Sequence, residues 1–227
     1  MRRLLGLLAV AVLLAGCSGG ANLPAEAKPV LDRSAQAMAG VSSLHFAIDV
    51  DGIVAPLTIH SIKGDLSRAG NASGAVMIAL GNDLVEEDFV LVGKDLYLRG
   101  ATGPYQLAPE SFNSRVYDPN SLLSADRGIP AELTGATEAK VRGAERVNGV
   151  DTYRISASLA PDLLKGLTQL QPGQTRIPAT LWVAQGSGLL QKAEVTFRTN
   201  LVNEDTRLTL TLTDYNKPVD IKPPPTT

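Results

Sequence analysis

Arg207-Leu208-Thr209-Leu210-Thr211-Leu212-Thr213 alternates without a break between a polar residue and leucine. A period of two puts every leucine on one face of an extended chain and every threonine on the other, so the stretch predicts a β-strand with one buried face. The same rhythm runs through Leu44, Phe46, Ile48 and Val50, which alternate with His45, Ala47, Asp49 and Asp51. It returns in Leu181 and Val183, in Ala193, Val195 and Phe197, and, less polar on its second face, in Val76-Met77-Ile78-Ala79-Leu80. Two hairpins are legible. A two-residue turn at Gly93-Lys94 sets Leu91 opposite Leu96 and Phe89 opposite Leu98. Asn148-Gly149 suits a type I′ turn, whose second strand carries Tyr153, Ile155 and Ala157 on one face. Helical spacing is confined to residues 25–40, to a start at Asp118-Pro119 leading into Leu122-Leu123, and to Pro161–Leu167. The expected class is α+β: a long antiparallel sheet with one apolar face and a few helices to cover it. Residues 25–222 contain no linker and no repeat and read as a single domain, followed by a Pro-rich tail at 223–227.

The chain has 227 residues, a formal net charge of −2, 44% apolar and 19% charged residues. That is too apolar for disorder, and it lacks the basic excess that nucleic-acid binding needs. A lone cysteine rules out an intramolecular disulfide and a cysteine-based zinc site. Its position is informative. Two arginines and an 11-residue apolar run, Leu4–Leu14, precede Ala15-Gly16-Cys17. The run is about half of what a membrane-spanning helix requires and matches a secretory signal peptide. The small residues before Cys17 resemble a bacterial lipobox, which implies a signal peptide at 1–16 and acylation of Cys17 as a membrane anchor. Residues 17–24 then form the lipidated cysteine and a flexible tether that reaches at most about 25 Å, so the folded body works close to the membrane surface.

The apolar face gathers Phe46, Ile48, Val50, Val76, Ile78, Leu80, Phe89, Leu91, Leu96, Leu98, Val195, Leu208 and Leu210 as candidate lipid-binding residues. Each methylene left in water costs about 0.8 kcal/mol, so an acyl tail of about 16 carbons needs an apolar surface worth roughly 13 kcal/mol to leave a membrane. Alternation alone does not distinguish such a hollow from a solid core. Catalytic signatures are missing: the two histidines, His45 and His60, stand singly in strand-like stretches, and no HExxH, GxSxG, GxGxxG or Walker pattern occurs. Gly186-Ser187-Gly188 reads as a turn, and Glu86-Glu87-Asp88 as a solvated strand start without the spaced oxygens of a calcium loop. No catalytic residue, metal ligand or cofactor is expected.

Across the mature chain a series of segments occurs in a familiar order. They are Gly64-Asp65-Leu66, Asp88-Phe89-Val90 with Leu96-Tyr97, Tyr117-Asp118-Pro119, Leu122-Leu123 and Asp126-Arg127-Gly128. Gly149 with Arg154-Ile155-Ser156, Pro178–Val183, Leu210-Thr211-Leu212 and Lys217-Pro218-Val219 follow. In this order the chain resembles the LppX/LprA/LprF/LprG family of mycobacterial cell-envelope lipoproteins, most closely its LprG-like members. The turn at Gly93-Lys94 and the loop sequences depart from those members. The resemblance implies a curved antiparallel sheet, a half-barrel, with helices over its concave face and an apolar cavity between them. It further implies a non-enzymatic exported lipoprotein anchored at the cell membrane or envelope, which binds the acyl chains of envelope (glyco)lipids or lipoglycans and carries or chaperones them. A non-catalytic accessory of an envelope transporter and a lipid-modifying enzyme are the alternative classes.

Overall fold

In the computed structural model, residues 23–52, 59–80, 83–109, 122–161, 175–199 and 202–226 are described. The expected signal peptide, Cys17 and most of its tether, the helix start at Asp118-Pro119 and the body of the Pro161–Leu167 segment lie outside them. Among the described residues, eleven strands form one sheet. They are β1 Ser43–Asp51, β2 Ile59–Ser67, β3 Ala72–Leu80, β4 Asp83–Val92, β5 Asp95–Arg99, β6 Gln106–Leu107, β7 Thr137–Val147, β8 Val150–Leu159, β9 Ile177–Ala184, β10 Leu190–Thr199 and β11 Val202–Thr213. The spatial order is β6-β5-β4-β3-β2-β1-β11-β10-β9-β8-β7, each neighbour antiparallel. The chain thus builds one half of the sheet outward from β1, crosses to the far edge at β7, and returns by hairpins until β11 meets β1. The sheet is curved and remains unclosed, with β6 and β7 as its edges.

Local chemistry accounts for the pairing. Asn148 (φ 49°) and Gly149 (φ 80°) both take the positive φ that a type I′ turn requires, and Val147 faces Val150 across it. At Gly93-Lys94 the expected register holds: Leu91 lies opposite Leu96 and Phe89 opposite Leu98. One feature of β2 and β3 has no counterpart elsewhere among the described strands. Gly64 and Gly74 face each other, and a Cβ built on Gly74 would lie 2.6 Å from the Gly64 Cα and collide with the Lys63 carbonyl. Only paired glycines permit two backbones to approach so closely, and they allow a sharp bend in the sheet at this point.

Among the described residues, two helices cover part of the apolar face, α1 Lys28–Ala39 and α2 Ile129–Gly135. Pro29 opens α1, and Leu31, Ser34, Ala35 and Met38 form its buried stripe at helical spacing. The two helices pack on each other and reach the sheet at β9 and β8. Leu31, Met38 and Leu133 are fully buried there, each stabilising the fold by about 1.5–3 kcal/mol relative to exposure. Arg68, in the β2–β3 turn, ties the end of α1 to the sheet. Its guanidinium donates to the carbonyls of Ala39 (2.6 Å), Val41 and Leu123 (3.4 Å). Beyond β11, Tyr215 donates its hydroxyl to the Leu190 carbonyl, and the Asn216 amide donates to Ser43 (2.8 Å). Among the described residues, the Pro-rich tail makes one isolated parallel bridge, from Thr226 to Tyr105 just before β6.

Candidate functional site

Register places twelve of the thirteen candidate residues, all but Leu80, on the helix-facing side of the sheet. Phe46, Ile48 and Val50 of β1 stand opposite Leu212, Leu210 and Leu208, and Val195 stands opposite Leu208. On the other flank, Ile48 faces Ile62, which faces Val76, while Ile78 follows on the same side. Gly74 faces Phe89, and Phe89 faces Leu98. One rung therefore reads Phe46–Gly64–Gly74–Phe89–Leu98 across five strands. Two side chains are missing in its middle, with a phenylalanine on either side.

These residues share a face but not one cluster. Phe46, Ile48, Val195, Leu208 and Leu210 belong to the main core under α1 and α2, with Val50 and Phe89 packed against it. Leu91 and Leu96 form a second, smaller cluster with Ala108, joined by Phe89 and Leu98. Val76 and Ile78 are half-buried and belong to neither. The side chain of Leu80 lies outside the described residues. Cover falls away along the strands of this half-sheet. The rung Leu44–Leu66–Ala72–Leu91–Leu96 is buried throughout, with Leu66 at 0% exposure. Two rungs on, Ile62, Val76 and Glu87 are all half-buried. On β2–β4 exposure thus rises from Leu66 toward Val76 and Ile78, while Ile48 on β1 stays buried.

Sequence reasoning missed three members of this surface. Ile62 lies in β2, whose Ile59–Ser67 sequence has too weak an alternation to declare a face. Gly64 and Gly74 carry no side chain for a pattern to register. Glu87 is a correction. The Glu86-Glu87-Asp88 run is not a solvated strand start but sits within β4, where Glu87 faces the helices and its neighbours face away. Glu86 lies 3.8 Å from Lys63, and Asp88 accepts from Arg99 Nε at 3.0 Å, both on the outer surface.

The outer face has different chemistry. His45 pairs with Asp65 at 2.8 Å across β1 and β2, and His60 is exposed on β2. Gly186-Ser187 is part of the β9–β10 turn, as its composition suggests. Trp182, although buried, lies on this outer side, under the Lys192 ammonium 4.5 Å from its ring and donating to Glu145 at 2.9 Å. A recess here is lined by Glu86, Asp88, Arg99 and residues 100–103. Its charged lining suits water and polar groups, not hydrocarbon. The inner face of the half-sheet β1–β5 is apolar. It supplies dispersion contacts and desolvation, and no histidine faces it.

Residues 26–221 match the family described as LppX_LprAFG lipoprotein. The lipoarabinomannan carrier protein LprG of Mycobacterium leprae is 28% identical over 98% of this chain and 96% of its own length. LprG of Mycobacterium tuberculosis is also 28% identical, over 99% of this chain and 96% of its own length. Among solved structures, LprF from Mycobacterium bovis superposes with a TM-score of 0.75 at 22% identity, covering 87% of this chain and 96% of LprF. LppX of Mycobacterium tuberculosis gives 0.60 at 22% identity, covering 86% and 99%. With the family match spanning nearly all of the described domain, and with this curved, unclosed antiparallel sheet shared with LprF and LppX, the chain belongs to the LppX_LprAFG lipoprotein family.

Proposed function

We propose that the protein is an exported, lipid-anchored carrier that binds acyl chains of envelope lipids or lipoglycans between the β1–β5 half-sheet and its cover, and moves them without chemical change. The observation that carries this reading is the graded cover of the inner face: buried at Leu66 and Leu91, half-buried at Ile62, Val76 and Ile78. A surface that stays apolar while its cover recedes suits a ligand that enters from one end and is itself mostly hydrocarbon. The thirteen candidate residues divide accordingly. Val76, Ile78 and Leu98, with Phe89 at the border of the main core, are the ones an acyl chain would touch, whereas Phe46, Ile48, Val195, Leu208 and Leu210 pack the main core. The relatives named as lipoarabinomannan carriers support the same class of cargo.

Anchorage at Cys17 through two or more acyl chains would hold the body at the membrane from which cargo is taken. Catalysis has no support in this surface. The chemistry on offer is burial, and a carrier needs no more. The test is extraction of the full chain carrying Cys17→Ala, which lacks acyl groups of its own, followed by mass spectrometry. Long-chain acyl lipid at about one molecule per chain is expected. Protein recovered without lipid from an envelope extract that contains it would overturn the reading. The same variant tests the anchor, because it should leave the membrane fraction or remain unprocessed.

A further inference from the structure

The tail after β11 is fastened to the sheet at two distant places. Asp214 (φ 53°) and Asn216 (φ 60°) turn the chain back toward the start of β1. There Asn216 Oδ1 accepts from the Ser42 amide (2.8 Å) and the Ser42 hydroxyl (3.0 Å), and the Asn216 amide donates to the Ser43 carbonyl (2.8 Å). The Ser43 hydroxyl in turn donates to the Lys217 carbonyl (2.5 Å). Val219 and Ile221 are then half-buried, while Pro218, Asp220 and Lys222 are exposed. At the far end Thr226 bridges Tyr105, whose ring lies under the Arg99 guanidinium (4.6 Å), itself a donor to Asp88 of β4 (3.0 Å). The two fastenings differ in strength. The near one combines a double acceptor with two backbone bonds, whereas the far one is a lone bridge beside Pro223, Pro224 and Pro225, which have no N–H to give.

Between the fastenings lies the bend at Gly64 and Gly74. Paired glycines put no side chain across the β2–β3 boundary, so a change of angle there compresses nothing on that rung. The flank beyond it carries a cluster of its own, Leu91, Leu96 and Ala108, and Phe89 packs against both that cluster and the main core. Five strand spacings of ~4.8 Å separate β1 from β6, and Tyr105 stands about four residues farther along the strands than Ser43, about 27 Å in all on a flat sheet. The tail from Lys217 to Thr226 reaches at most about 32 Å. With both ends fastened, β6 can move only a few ångströms farther from β1. We propose that the C-terminal tail is a releasable strap: while Thr226 holds Tyr105 the β3–β6 flank is kept in place, and when that end lets go the flank swings at Gly64–Gly74 and opens the inner face for cargo exchange. The exchange role rests on the carrier reading; the strap and its swing do not.

The test uses the full chain carrying Cys17→Ala, which removes the only native thiol, together with Tyr105→Cys and Thr226→Cys. Bridge partners ~4.8 Å apart lie within the Cα separations a disulfide spans. The reduced and oxidised forms of this one protein are compared by amide hydrogen exchange and by stopped-flow uptake and release of a pyrene-labelled diacylglycerol. Oxidation is expected to slow amide exchange in β4–β6 at least about tenfold while leaving β8–β10 as they were. It should slow uptake and release together, each at least about tenfold, and change the equilibrium affinity by less than about threefold, because a gate alters rates in both directions alike. Ile221→Asp, which charges a half-buried position of the tail, should speed release in the otherwise unaltered Cys17→Ala chain. Amide exchange and probe kinetics that are equal in the two redox forms overturn the proposal, as does a cysteine pair that resists oxidation. A probe that binds neither form, with β4–β6 exchange still slowed by oxidation, overturns the carrier reading and leaves the strap standing.

Discussion

Val76→Trp separates a hollow from a filled inner face. Val76 lies between Ile62 and Glu87 on adjacent strands, is half-buried, and packs in neither of the two hydrophobic clusters. If the space above it is solid, the added indole overpacks and costs about 1–3 kcal/mol. For a domain of this size that lowers the melting temperature by about 2–4 °C per kcal/mol. If the space is the cargo site, the ring occupies a length that about four methylenes would have filled. At ~0.8 kcal/mol each, the lipid loses about 3 kcal/mol, or more than a hundredfold in affinity. The assay pairs thermal unfolding of lipid-free protein with the binding constant for one long-chain lipid. The expected result is a melting temperature within about 2 °C of the parent and binding weakened by about a hundredfold. A marked loss of stability, or full stability with unchanged binding, would refute the reasoning: the first because the face is packed, the second because Val76 does not border the cargo.

Gly74→Ala should yield little folded protein, because its Cβ meets the Lys63 carbonyl and the Gly64 Cα; Gly135→Ala, with nothing within 4 Å, should be neutral or slightly stabilising, and circular dichroism on both variants checks the contrast. Arg68→Ala strips a charged donor from the carbonyls of Ala39, Val41 and Leu123 and should cost about 1.5–3 kcal/mol in denaturant titration, with Arg68→Lys intermediate. Burial pushes the Tyr215 hydroxyl far above its usual ionisation range. An unfolded tyrosine releases its proton near pH 10 while folded Tyr215 retains it, so the unfolded state binds fewer protons and stability falls as pH rises above about 10. The slope approaches about 1.4 kcal/mol per pH unit, and Tyr215→Phe should flatten it while costing about 1 kcal/mol at neutral pH.

Much of the fold was legible because period-two alternation and turn chemistry are local. The Leu208–Leu212 and Phe46–Val50 strands, the Gly93-Lys94 register and the Asn148-Gly149 turn all stand as the residues suggest. The helix of residues 25–40 is present as Lys28–Ala39. Strand β2 was harder, since Gly64 leaves a gap in its apolar face and a register shift between Ile59 and Ser61 breaks the alternation. The seven-residue helix α2 has no extended apolar stripe to announce it. Adjacency of β1 and β11 joins residues more than 150 apart in sequence, and no local pattern encodes that choice. The candidate site divides the same way. Which side chains share a face follows from alternation. How far cover recedes along that face depends on where the helices land, and the Gly64–Gly74 gap is invisible to any reading based on side chains.

Transfer of an intact lipid between membranes is the direct measure of a carrier. Donor vesicles holding a fluorescent long-chain glycolipid are mixed with acceptor vesicles and the full chain carrying Cys17→Ala. The rate of appearance in the acceptor should rise in proportion to protein concentration, fall with Val76→Trp, and deliver glycolipid of unaltered mass. A rate independent of the protein, or glycolipid recovered cleaved or modified, would contradict the carrier account.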